Sequence, residues 1–440
     1  ICMDEKDLQW GRKVHDIISQ SSDNKLKSNE KLQSMLMSMY IKCGDVEEAE
    51  KIFLQIKDQN KNIVDYNSIM KCYNNNNLYE KTIKLYQKND IQPDHVTYIL
   101  VLQACRDSQM LEDGKSVHFD ISQDPLYRTH REIYNLLLDM YLKLNDLKSA
   151  EEIFIQMRNQ NNVISFTSMM KAYNKENYFD HTLQLYKQMI VDKVKPDHTV
   201  YQYLLQACAD GNFLDKGTLF HTELIQNYPA FLERIEIQNS LLNMYGKCKQ
   251  VKKCEQLFNR IPLDKRDIIT YCTMITVYDL NDQGKNALQL FEQMKRYFSP
   301  THDVYVLILN TCLHHKFVQE AKQIFNSITD KKHKNNAQII TIMIEIFACS
   351  NLWFDAELFI INYELENGTE KLDHSMYCTL LSIACLTHSI EQARNLFKRL
   401  KYMRTLTQLD LTIYQGLMKD DERALLEDER DKIRKQKTMY

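Results

Sequence analysis

Apolar residues recur along this chain at intervals of three and four. Tyr66, Ile69, Met70 and Tyr73 fall at i, i+3, i+4 and i+7, and Phe166, Met169, Met170 and Tyr173 repeat that spacing a hundred residues later. Each set is one stripe down an α-helix of 3.6 residues per turn, and Ala287, Leu290, Phe291 and Met294 draw the same stripe on a second kind of helix. Other landmarks return with the same long period. Met39-Tyr40 comes back as Met140-Tyr141 and Met244-Tyr245, Gln103-Ala104-Cys105 as Gln206-Ala207-Cys208, and Val14-His15 as Val117-His118 and Phe220-His221. The period of about a hundred residues divides into three units of a little over thirty, and each unit reads as two amphipathic helices. A single pair of this size cannot bury its own stripe, so neighbouring pairs must stack around one continuous core. The expected fold is all-α: a right-handed superhelical α-solenoid of helix-turn-helix repeats, with about two dozen helices and no sheet. Gly44, Gly246 and Gly284 are expected at the turns within pairs, and Pro93-Asp94 and Pro196-Asp197 mark unit ends.

Composition narrows the function. With 44% hydrophobic residues and a net charge of −3, the chain is not a disordered one. Only 9 glycines and 6 prolines in 440 residues leave little room for the glycine-rich turns of nucleotide-binding enzymes, and a repeat array escapes the size limit of a single core. The 12 cysteines never form C-x-x-C, so neither a disulfide framework nor a zinc knuckle is signalled, and a reducing compartment fits best. The most apolar run, 337–354, carries Glu345, so no membrane span is expected. Ile1-Cys2-Met3-Asp4 lacks a basic leader, so a targeting segment is expected to be absent or removed. His221-Thr222-Glu223 has the H-x-E spacing of a zinc deaminase but no following C-x-x-C, and it aligns with His15 and His118 as a packing residue. Cys248 and Cys254 read as thiols on a helix face. No catalytic residue, metal or cofactor is expected.

The strings MYIKCGDVEEAEKIF (39–53), DIQPD (90–94), KVKPD (193–197) and LEDGKSVH (111–118) resemble pentatricopeptide repeats of the subclass that alternates P, L and S units. S-like units are assigned to 30–62, 131–162 and 235–267, P-like units to 63–94, 163–197 and 268–301, and L-like units to 95–130, 198–234 and 302–336. Residues 1–29 resemble the truncated end of an L unit, and 337–373 a divergent S unit. The segment 374–410 resembles the E1 unit that follows the repeats in this subclass, and 411–440 resembles E2.

The resemblance implies binding of single-stranded RNA, one base per repeat, in mitochondria or plastids. In the family the fifth residue of a unit and its last residue set base preference. Here these pairs are Ser34 with Asn62, Asn67 with Asp94, Asn135 with Asn162, Thr167 with Asp197, and Asn239 with Asp267. Carried over, they spell A, U, any, C, G, any, U from unit 30–62 to unit 235–267, the L units being poorly selective. Cys272 with Thr301, in the next P-like unit, lies outside the pattern. The second residue clamps a base between apolar neighbours in the family, and Val64, Ile164 and Ile269 occupy it in the P-like units. The S-like units carry Lys31, Glu132 and Glu236 there, with Leu32, Ile133 and Ile237 one residue later. Either the clamp is incomplete in those units or the boundary is shifted by one. Lys42, Lys143, Lys175 and Lys247 recur two residues after the helix tyrosine and are candidate phosphate contacts.

The E1-like and E2-like segments imply an RNA-editing or RNA-processing factor. A DYW-type cytidine deaminase would act with it, in cis beyond Tyr440 or in trans. The competing reading is a helical scaffold that binds protein, as tetratricopeptide arrays do. That family's Trp, Leu-Gly, Tyr and Pro signature is missing, whereas Asn, Thr, Ser and Asp recur at the positions proposed to read bases.

Overall fold

The computed structural model describes residues 5–20, 29–56, 61–88, 92–128, 130–157 and 160–367. Among these residues the chain forms 23 α-helices, one short 3-10 turn and no strand, in agreement with the all-α solenoid expected. The segments read as E1-like and E2-like lie outside the described residues.

Two units, Ile1–Ala207 and Cys208–Tyr440, divide the chain. In the first, Glu30–Lys42 pairs with Val46–Gln55 and Ile63–Asn75 with Tyr79–Gln87, while the leading helices Glu30–Lys42, Ile63–Asn75, His95–Asp107 and Arg131–Lys143 pack in succession. In the second, Ile235–Lys247, Ile268–Leu280, His302–His315 and Ala337–Cys349 form the corresponding succession. The stripes read from periodicity are the core: Ile69, Met169 and Met170 are fully buried, as are Ala287, Phe291 and Met294. Tyr40, Ile52, Phe53, Tyr66 and Ile69 belong to one cluster spanning three consecutive helices, so each stripe is covered by its neighbours.

The three-unit period is also written into the junctions. His15, His118 and His221 each place Nδ1 2.9 Å from the hydroxyl of Tyr40, Tyr141 and Tyr245 respectively. Tyr73, Tyr173 and Tyr278 donate their hydroxyls to Glu50, Glu151 and Glu255 at 3.0, 2.9 and 3.2 Å. Asn74 and Asn174 reach across to the carbonyls of Leu100 and Tyr203 at 2.8 and 2.9 Å.

The expectation for the glycines needs correction. Gly44 does sit in a turn, at φ +76. Gly246 instead lies inside helix Ile235–Lys247, and Gly284 opens helix Gly284–Met294. Both mark close packing, since a β-carbon would collide with Val277 at Gly246 and with His315 and Phe317 at Gly284. The left-handed turn positions are held mostly by other residues, among them Asn77, Asn145, Asn177, Asn212, Lys249 and Asn351. Asparagine tolerates that conformation better than most side chains, which is how so many helix pairs turn with so few glycines.

Candidate nucleic-acid interface

The unit-end residues have a structural task. Each precedes a helix whose first backbone N–H groups lack intrahelical partners, and each supplies the missing acceptor. Asn62 Oδ1 accepts from the N–H of Val64 at 2.9 Å and Asp65 at 3.1 Å, and Asp94 Oδ1 accepts from Thr97 at 2.8 Å. Asn162 accepts from Ser165 at 3.0 Å, Asp197 from Val200 at 3.0 Å and Asp267 from Thr270 at 2.7 Å. Helix capping was missed in the sequence, although the signal is present: Asp65, Thr97, Ser165 and Thr270 stand three residues on, where a capping box has its second member. Capping commits one side-chain atom and leaves the other. In Asn the spare atom is Nδ2, a donor; in Asp it is Oδ2, an acceptor.

The fifth residues Ser34, Asn67, Asn135, Thr167 and Asn239 are all half-buried on the first turns of their helices. Asn67 donates from Nδ2 to Asp94 Oδ1 at 3.0 Å, and its Oδ1 lies 2.7 Å from the Thr97 hydroxyl. Burial pushes the Asp94 carboxyl up, but the hydrogen bonds from Thr97 and Asn67 outweigh it and hold the group below the usual carboxylate range. Asn135 and Asn162 line one open cleft. Thr167 instead donates to the carbonyl of Ile164 at 2.9 Å, and Asn239 Oδ1 is buried without a hydrogen-bond partner among the described residues. Among the described residues, only the Asn67–Asp94 pair of the five is joined by a direct hydrogen bond. Cys272 takes the equivalent place on the next helix, and burial pushes its thiol up to about 11, so it stays protonated at neutral pH.

Val64, Ile164 and Ile269 are 65%, 71% and 59% exposed at the starts of their helices. Ile133 and Ile237 are fully buried, so in their units the apolar residue one place later is core and cannot clamp. The exposed position there holds Lys31, Glu132 and Glu236. The four lysines differ among themselves. Lys143 pairs with Asp107 at 3.0 Å and Lys247 with Asp210, Lys175 donates to Asn145 at 2.6 Å, and Lys42 is exposed. Each stands eight residues after the fifth position, about 12 Å along the same helix axis.

His221 is engaged with Tyr245, as packing residues His15 and His118 are with their tyrosines. No group of three or more His, Cys, Asp or Glu able to hold a metal occurs among the described residues. Cys248 and Cys254 are buried and unpaired.

Comparison with known proteins agrees with the repeat pattern. Residues 161–210 match a model of the PPR repeat family, 265–314 a pentatricopeptide repeat domain, and 34–60, 64–88, 132–162 and 239–264 a PPR repeat. The chloroplastic pentatricopeptide repeat-containing protein At1g11290 of Arabidopsis thaliana is 26% identical over 79% of this chain and 42% of its own length. The chloroplastic protein CRR2 of the same plant is 26% identical over 86% of this chain and 57% of its own. The chain therefore spans about half the length of the curated relatives it matches. Among solved structures, the pentatricopeptide repeat protein PPR10 in complex with an 18-nt psaJ RNA element superposes with a TM-score of 0.67 at 16% identity, over 96% of this chain and 62% of that one. PPR10 from maize gives a TM-score of 0.59 at 16% identity, over 97% and 66%. Matches to pentatricopeptide repeat models thus recur in both units of this chain, on a fold similar to that of a solved pentatricopeptide repeat protein.

Proposed function

We propose that this chain binds single-stranded RNA, one base per repeat, as the recognition part of an organellar RNA-editing or RNA-processing factor. The observation that carries the reading is the contact of Asn67 with Asp94, together with Asn135 and Asn162 in one cleft, where each unit-end cap keeps one polar atom spare. A spare Asp Oδ2 accepts from the N3–H of uracil, and a spare Asn Nδ2 donates to the N3 of cytosine, which suits uridine at Asn67 with Asp94 and cytidine at Asn135 with Asn162. The exposed Val64, Ile164 and Ile269 supply apolar faces against which a base can lie.

The P, L and S alternation, the E1-like and E2-like segments, a DYW-type deaminase in cis or in trans, and a mitochondrial or plastid location belong to this proposal. They rest on the sequence resemblance and on relatives that include chloroplastic proteins. The test is binding to oligonucleotides varied one base at a time, with Thr167→Asn made in parallel. The fifth base preference should move from guanine towards uracil by roughly 1–3 kcal/mol. Indifference to that base in both proteins would refute base readout and favour a protein-binding scaffold.

A further inference from the structure

We infer that Glu132 makes unit 131–162 select cytosine against uracil. The inference rests on the RNA-binding reading above and adds to it a residue outside the two-position pairing. A cleft of about 600 Å³ opens at the start of helix Arg131–Lys143, lined by Leu126, His130, Arg131, Glu132, Asn135 and Asn162. Both base-reading candidates of the unit therefore share one space with Glu132. Glu132 and Asn135 are three apart on the helix and so lie on the same face.

The exposed position that holds Val64, Ile164 and Ile269 elsewhere is here a carboxylate, and Ile133 cannot replace the clamp because it is fully buried. Unit 235–267 has Glu236 in the same place, but that carboxylate faces Arg234 Nε at 3.6 Å. Unit 30–62 has Lys31. Of three otherwise similar units, two thus carry a carboxylate and one an ammonium at one exposed place beside the base site, which is where selectivity is tuned rather than where the fold is built.

The chemistry is directional. A carboxylate only accepts hydrogen bonds, and Asn162, with Oδ1 held by Ser165, has donors to spare. Cytosine offers a donor at N4 and acceptors at N3 and O2, so Glu132 accepts from N4 while Asn162 donates to the acceptor edge. Uracil turns O4, an acceptor, towards the same carboxylate, and like lone pairs repel. The carboxylate also opposes the RNA phosphates, so Glu132 discriminates by penalising the wrong base. Arg131, which lines the same cleft, is placed to offset that repulsion.

The test uses the full chain and two oligoribonucleotides that differ only in cytosine or uracil at the fourth base, with a second pair differing at the fifth. Wild type should favour cytosine over uracil, and Glu132→Gln should shrink that ratio by about tenfold. Glu132→Val should shrink it as much while tightening binding to both. The fifth-base preference should be unchanged in both variants. A cytosine-to-uracil ratio equal in wild type and Glu132→Gln, with the fifth base still read, overturns this inference alone. Failure of wild type to bind any of these RNAs overturns the RNA-binding reading and this inference with it.

Discussion

Asp267 shows how one residue can carry two loads. Its Oδ1 accepts from both the N–H and the hydroxyl of Thr270, at 2.7 Å each, at the start of helix Ile268–Leu280. Asp267→Ala removes the cap and should lower stability by about 1 kcal/mol, read as a shift in the urea midpoint. Asp267→Asn keeps an acceptor at Oδ1, so stability should fall by less than half as much. It replaces the spare acceptor with a donor, and under the proposed function the base preference of unit 235–267 should move from uracil towards cytosine. Equal stability losses in the two variants would mean that the cap is not what Asp267 contributes.

At the scale of elements, helices are held at distances set by small residues and by paired polar groups. A β-carbon at Gly246 would fall inside contact distance of Val277 Cγ2 and 3.1 Å from Val277 Cβ, a buried, branched side chain met close to its own backbone. At Gly114 it would meet Met140 Sδ at 2.6 Å, the flexible end of a thioether that can swing aside. Gly246→Ala should therefore destabilise by about 1–2 kcal/mol despite alanine's better helix propensity, and Gly114→Ala should be near neutral. Adding Val277→Ala should recover part of the Gly246→Ala loss. The histidine junctions predict a pH dependence. Burial holds the His118 imidazole below its ordinary value, against a small opposing pull from Glu152, and burial with Lys253 and Arg260 does the same to His221. Unfolding restores the higher pKa, so the unfolded chain binds more protons as pH falls below roughly 6.5. The stability these imidazoles contribute is present above that pH and is lost as pH falls through their folded values. Urea midpoints should drop between about pH 7.5 and 5.5, and drop less in His118→Gln/His221→Gln than in wild type.

For the whole molecule the relevant quantity is charge. At −3 the chain has no general attraction for nucleic acid, so any salt-dependent affinity has to come from local cations. Two of the four recurring lysines are held by Asp107 and Asp210, and Asp107 also holds Arg106. Removing those carboxylates frees the cations without adding any. Asp107→Asn/Asp210→Asn should strengthen RNA binding at low salt and steepen its fall with salt, without changing base preference. An unchanged slope would show that the phosphates pass elsewhere.

Helix positions, their stacking and the three-unit period follow from the sequence alone, because a stripe such as Tyr66, Ile69, Met70 and Tyr73 has only one way to be buried, and each repetition states it again. The pairs Asn67 with Asp94 and Asn135 with Asn162 were visible as recurring residue types. What stayed hidden was what those residues touch. That Ile133 is core while Glu132 stands exposed, that Gly246 admits Val277 rather than turning the chain, and that Lys143 faces Asp107 thirty-six residues away all depend on contacts between units. Periodicity specifies which face of a helix is buried. The neighbour that each exposed or small residue meets is decided only when the units stack, because unit lengths and turn geometry together set that register.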